Sequence, residues 1–177
     1  MKYNKFREAG EILGGYEIVQ IREEYPEIQG KSSEGVIDFA LELLRGRAEV
    51  LMIEDTSFFI EVLGGFPGPY ASYVSKTIRN GGILKLMKNE DDRRARFETV
   101  VGLLRRDEST LFRGVCEGSL SLTEMGENGF GFDPIFIPEE SNRTFAEMSI
   151  EEKNRFSHRA RAFEKVKSHM EIGEHKS

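Results

Sequence analysis

Residues 5–13, KFREAGEIL, place Phe6, Ala9, Ile12 and Leu13 at helical spacing, and Gly14-Gly15 end the run. The next segment, YEIVQIR at 16–22, reads as a strand. A polar loop with Pro26 and Gly30 leads to a second helical pattern over about 33–45, with Ser33 as its N-cap candidate. Val36, Phe39, Ala40, Leu43 and Leu44 form the apolar side of that helix. VLMIE at 50–54 is short and nearly continuously apolar, which predicts a buried strand between helices. The glycine- and proline-rich LGGFPGPYAS then breaks the pattern. Residues 71–89 resume helical spacing, with an interruption expected at Gly81-Gly82, and NEDDRRAR reads as a solvated turn. Residues 95–105 and 111–122, separated by RRDEST, predict an antiparallel hairpin. GENGFGFDPIFIP is a loop entering a short strand, and a last helix starts near Ser157 with Ala160, Phe163 and Val166 on its apolar side. The sum predicts an α/β fold with a mixed central sheet and flanking helices. No repeat or linker divides it, so residues 1–177 read as one domain.

Composition narrows the function. Apolar residues make up 38% of the chain and charged residues 32%, an ordinary balance for a soluble protein. No run approaches the roughly 18 apolar residues of a membrane span, and MKYNKFREAG lacks the apolar core of a signal peptide. The single cysteine, Cys116, makes no internal disulfide, so a cytoplasmic setting is expected. A net charge of −6 argues against a nucleic-acid binder. For a phosphate-rich substrate, that charge requires local cations and a divalent metal between carboxylates and phosphates.

The sharpest candidate chemistry is Glu54-Asp55-Thr56, directly after the apolar run. Carboxylates at a strand end sit where α/β sites lie, and hard oxygens suit Mg²⁺. The same residues also suit a plain solvated strand end. Strand alternation sends Glu54 and Asp55 to opposite faces. Glu27, in a loop with Gln29 and Gly30, is a second metal-ligand candidate or a surface carboxylate. In GFGFDP, Phe130 and Phe132 alternate with glycines ahead of Asp133. Either phenyl ring stacks on a base, or both plug the core. Ser157-His158-Arg159 opens the last helix, where cations run against the helix dipole unless a ligand uses them. Lys153, just upstream, is a candidate phosphate contact, and the same segment also suits a plain surface helix start with a capped histidine. No GxxxxGK[ST] loop or GxSxG elbow is present, and three scattered histidines do not make a zinc cluster.

Together these segments resemble the Ham1-like inosine triphosphate pyrophosphatase family, also called XTP/dITP diphosphatases. The resemblance rests on KFREAGEIL (5–13), YPEIQG (25–30), IEDTSFFIEVLGGFPGPYAS (53–72), ARFETVVGLL (95–104), LFRGVCEGSL (111–120), GFGFDPIFIP (129–138) and TFAEMSIEEKNRFSHRARA (144–162). It implies two lobes around a nucleotide cleft, a homodimer, and Mg²⁺-dependent hydrolysis of ITP, dITP and XTP to the monophosphate and pyrophosphate. By motif, Asp55 corresponds to the catalytic aspartate, and Glu27, Asp55 and Glu54 to the metal site. Lys5, Thr56, Phe130, Gly131, Phe132, Asp133, Lys153, His158 and Arg159 correspond to substrate contacts. Two positions depart from the family pattern. Of the T/S-x-N-x-x-K motif and its preceding strand only Lys5 has a counterpart, with Lys2 at the Asn position. Phe39 stands where a lysine faces the triphosphate. These departures leave a weakly active or non-catalytic nucleotide-binding relative as the alternative.

Overall fold

A computed structural model describes residues 2–21 and 32–174. The elements are α1 (Lys2–Ile12), α2 (Ser33–Leu43), β1 (Val50–Ile60), β2 (Pro67–Gly68), α3 (Ala71–Thr77), α4 (Arg79–Leu86), β3 (Arg94–Arg105), β4 (Glu108–Leu120), β5 (Phe136–Pro138), α5 (Ile150–Asn154) and α6 (His158–Glu174). The strands form one sheet in the order β2-β1-β3-β4-β5. The α/β class stands. Every pairing among the described strands is antiparallel, where a mixed sheet was expected.

Alternation along the strands divides the core. On one face, Leu51, Val100 and Leu104 pack with Ile37 and Leu41 of α2. On the other, Val101 and Leu103 pack with Ala9 and Leu13 of α1 and Ala162, Phe163 and Val166 of α6. Further along that second face, Phe58, Phe97, Phe132, Phe136 and Phe145 build an aromatic cluster with Val74 of α3 and Ile83 of α4. α6 sits close to the sheet because of Gly114. A Cβ there would lie 2.1 Å from the His158 carbonyl oxygen and 2.5 Å from the Ala162 nitrogen.

Several expectations change. Residues 16–21 are not strand, and Arg22 lies outside the described residues; Tyr16 and Ile18 pack on the α1–α6 cluster while Val19 and Ile21 stay exposed. β1 does not end at Glu54 but continues to Ile60, paired throughout with β3, so Glu54 and Asp55 lie mid-strand. The hairpin between β3 and β4 closes through a two-residue turn, Arg106-Asp107, both at positive φ as the strand twist requires. The break between α3 and α4 falls at Ile78-Arg79, with Arg79 at φ 58°, and Gly81-Gly82 lie inside α4. Ser32, not Ser33, caps α2 by accepting from the Gly35 N–H, while Ser33 is buried against Ser57, their hydroxyls 3.0 Å apart. No helix among the described residues is long and apolar enough to cross a membrane.

Candidate active site

The site grows from the pleat of β1. Glu54 and Thr56 face α1 and α6, whereas Asp55 shares the α2 side with Ser57. Both surfaces border one cleft of about 1550 Å³, whose walls also include Lys5, Phe130, Lys153 and residues of α3.

On the α1–α6 side, six charged groups form an alternating chain. Lys5 Nζ lies 2.9 Å from Glu54 Oε1. Arg159 donates from Nε to Glu54 Oε2 at 2.8 Å and from Nη2 to Glu54 Oε1 at 3.2 Å. Arg159 Nη1 donates to Glu8 Oε2. Lys153 Nζ donates to Glu8 Oε1 at 3.1 Å and to Asp133 Oδ2 at 2.8 Å. Glu8, Asp133, Lys153 and Arg159 are all buried. Their charges therefore cancel in place, the condition under which buried ions are tolerated. Burial pushes the Glu54 carboxyl upward, but Arg159 and Lys5 outweigh it and hold the group at about 2. Burial likewise disfavours the Arg159 cation, and Glu54 and Glu8 more than restore it.

Hydrogen-bond accounting shows what remains for a ligand. A guanidinium has five N–H donors. Among the described residues, Arg159 commits one to Glu8, two to Glu54 and one to the Thr56 hydroxyl at 3.3 Å, so one Nη1–H is unspent there. Lys153 commits two of its three donors and also keeps one. Asp133 Oδ2 accepts from Lys153 and from the Phe130 N–H at 2.9 Å, while Oδ1 takes no hydrogen bond among the described residues.

Local structure explains these positions. α5 opens with a reciprocal capping box between Ser149 and Glu152, which sets Lys153 one residue later. The Ser157 hydroxyl caps α6 by accepting from the Ala160 N–H at 3.1 Å, aiming His158 and Arg159 inward. His158 stacks on Phe97 with ring centroids 4.5 Å apart. Burial, then the nearby Arg159, Lys153 and Lys5, push its pKa well below the usual histidine range, so the ring is neutral and does not oppose the helix dipole. Its buried Nδ1 has no partner among the described residues. In the GFGFDP loop the two phenyl rings part company. Phe132 stacks on Phe58 in the core, with centroids 4.8 Å apart. Phe130 borders the cleft, with Lys153 and Arg159 over its ring at 5.2 and 5.6 Å. At Gly129, φ is 76° and a Cβ would lie 2.2 Å from Asp133 Oδ2, so only glycine lets the loop fold over that carboxylate.

Asp55 has no ion pair or hydrogen bond through its side chain among the described residues, and it lines the cleft. Glu27 lies outside the described residues. No group of three or more His, Cys, Asp or Glu among the described residues is arranged to hold a metal. Thr56 Oγ1 lies 2.7 Å from the hydroxyl of its cross-strand partner Thr99. Phe39 is 41% exposed on α2, so it is not a core residue. Cys116 is fully buried, and burial pushes its thiol up to about 12. Glu8 and Thr99 were not among the expected site residues. A cue for Glu8 exists: it sits one helical turn after Lys5 and directly before Ala9 of the apolar stripe.

Comparison with known proteins shows the family. The Ham1 family profile matches residues 2–169. The chain is 53% identical over 161 residues to a dITP/XTP pyrophosphatase from Pyrococcus horikoshii, covering 89% of this chain and 87% of that protein. It is 44% identical over 172 residues to a dITP/XTP pyrophosphatase from Saccharolobus solfataricus, covering 95% and 89%. The structure of the Staphylococcus aureus Ham1 protein superposes with a TM-score of 0.83 at 26% identity, covering 96% of this chain and 94% of that one. By sequence match, fold and motif order, the chain belongs to the Ham1 family.

Proposed function

We propose that this protein is a nucleoside-triphosphate pyrophosphatase that hydrolyses non-standard purine nucleotides, ITP, dITP and XTP, to the monophosphate and pyrophosphate. One observation carries the reading: the unspent N–H donors of Lys153 and Arg159, held beside each other by Glu8. A 6-oxo purine offers an acceptor to those donors, and its N1–H offers a donor to Asp133 Oδ1. Adenine carries an amino group at position 6 and no proton at N1. It would leave buried donors and an acceptor unpaired, the arrangement that rejects an analogue most strongly. Phe130 supplies the stacking face. The names of the relatives, dITP/XTP pyrophosphatases, support the same substrate class.

The hydrolytic end is assigned to Asp55. Mg²⁺ needs only one or two protein carboxylates when phosphates supply its other ligands. Asp55, uncommitted on the cleft wall, fits that role, with Glu27 as its partner. A bound Mg²⁺ would neutralise phosphate charge and polarise the reacting phosphate. Both Glu54 oxygens are engaged by Arg159 and Lys5, so Glu54 contributes by holding those cations in place. Asp55 orients the water that attacks the α-phosphorus, and pyrophosphate leaves.

A homodimer and a cytoplasmic setting complete the proposal. The dimer is supported by an apolar notch of about 440 Å³ between Phe66, Tyr70, Tyr73 and Ile78, all of them exposed in the single chain. The deciding experiment measures pyrophosphate release from ITP and from ATP, with and without Mg²⁺, for the parent and Asp55→Asn. Metal-dependent, ITP-selective release lost in the variant is expected. A folded parent that releases nothing overturns the proposal.

A further inference from the structure

We propose that Lys76, on the cleft-facing side of α3, receives the phosphate chain of the substrate. The inference rests on the pyrophosphatase reading and adds a binding residue to it. At the base end of the cleft, the cations Lys5, Lys153 and Arg159 are matched one for one by Glu54, Glu8 and Asp133. That set fixes donors for a base but has no surplus positive charge for a phosphate chain. With a net charge of −6, the protein as a whole repels such a chain. Beyond what a bound Mg²⁺ would neutralise, the attraction falls to cations on the cleft wall that no carboxylate has neutralised.

Among the described residues, the side chains of Lys76 and Arg105 line the cleft without a hydrogen bond or ion pair. Arg105 pairs in register with Val50, five residues before Asp55 and so roughly 16 Å along the strand. α3 is tied to the other side of Asp55. β2, just ahead of it, pairs with Phe58 and Phe59, the first of them three residues past Asp55, roughly 10 Å along the strand. Ala71 and Val74 anchor α3 in the aromatic cluster, which leaves Ser72, Ser75 and Lys76 on the cleft. Lys76 and Asp55 line the same cleft, and an exposed ammonium on a flexible four-carbon stem can follow a phosphate chain along it through its three donors. Lys76 also lies in the last turn of α3, where a cation suits the helix dipole, and the test separates that structural role from binding.

The experiment compares the parent, Lys76→Ala and Lys76→Arg. It measures the KM for ITP, inhibition by tripolyphosphate, inhibition by inosine monophosphate, and the melting temperature. Lys76→Ala is expected to raise the KM and weaken tripolyphosphate inhibition together by about tenfold, the scale of one charge-assisted contact. Inhibition by inosine monophosphate and the melting temperature stay as in the parent, and Lys76→Arg restores the KM. Unchanged KM and tripolyphosphate inhibition overturn the assignment, as does an equal loss of inosine monophosphate binding. If the parent releases no pyrophosphate from ITP, the pyrophosphatase reading fails instead. Calorimetric binding of tripolyphosphate to the parent and Lys76→Ala then decides the role of Lys76 by itself.

Discussion

Glu8 of α1 and Arg159 of α6 stand 151 positions apart in the chain and meet as a buried ion pair. Glu8 also holds Lys153 of α5, so one carboxylate joins three helices and sets the spacing of two cations. Removing it leaves both cations short of a counter-charge. Loss of one partner from a buried pair costs about 3–5 kcal/mol. Glu8→Ala is expected to lose stability on that scale in a urea titration, with weaker discrimination of ITP from ATP. A midpoint equal to the parent's would refute the shared-carboxylate account.

Asp55 and Glu54 should separate chemistry from structure. Asp55 has no side-chain partner among the described residues, so Asp55→Asn should reduce ITP turnover by about 100-fold or more at unchanged melting temperature. Glu54→Gln should lower stability as well, because the carboxylate held at about 2 neutralises Arg159 and Lys5. Equal melting temperatures for both variants would contradict this division.

Acid should weaken the fold in two windows. His158 is neutral when folded because burial and neighbouring cations depress its pKa below 6.5. As pH falls below 6.5 the unfolded chain takes up a proton that the folded chain refuses, so stability declines there. The Glu54 carboxyl is lowered from 4.5 to about 2, so its contribution is complete above 4.5 and is lost as pH falls through that interval. Urea midpoints across mildly acidic pH should show a shallower slope in His158→Asn than in the parent. Parallel curves would remove His158 from the account.

Gly114 is a position where one methyl group should reach the active site. An alanine there collides with the first turn of α6, at the His158 carbonyl and the Ala162 nitrogen. Gly114→Ala is expected to cost at least about 1–3 kcal/mol, the range for overpacking. It should also loosen base selectivity, since His158 and Arg159 ride on that turn. Denaturation together with the ITP-to-ATP ratio of kcat/KM checks both effects.

The two phenyl rings of GFGFDP invite opposite outcomes. Phe130→Leu should raise the KM for ITP about tenfold through lost stacking, with the fold intact. Phe132→Leu should mainly lower the melting temperature, because that ring is stacked on Phe58 in the core. Reversal of this pattern would reassign the loop.

Local pattern carried much of this architecture. The β3–β4 hairpin, α1, α2 and α6 follow from hydrophobic spacing, and alternation alone separated Glu54 from Asp55. What escaped depended on partners distant in the chain. YEIVQIR has the residues of a strand, but strand propensity depends on context, and residues 16–21 lie outside the sheet of the described strands. The strand expected at 50–54 stopped at Glu54 because the polar Glu54-Asp55-Thr56 end the apolar run. Yet Ser57 is buried by the hydroxyl of Ser33, and Thr56 meets Thr99. Glu8 looked like an ordinary surface acid because its two cations come from the other end of the chain. The GFGFDP motif left its two rings interchangeable, and only packing told Phe130 from Phe132.

The ladder between β1 and β3 runs without interruption from Val50↔Arg105 to Ile60↔Ala95. Sliding β1 by a single position would turn Glu54 toward α2 and Asp55 toward Arg159, exchanging their surroundings. Base reading and hydrolysis would fail together, although every residue was still present. The length of that ladder therefore works as a register lock. It keeps two neighbouring carboxylates on opposite faces and, under the proposed roles, lets mutation adjust nucleotide choice on one face without retuning the chemistry on the other.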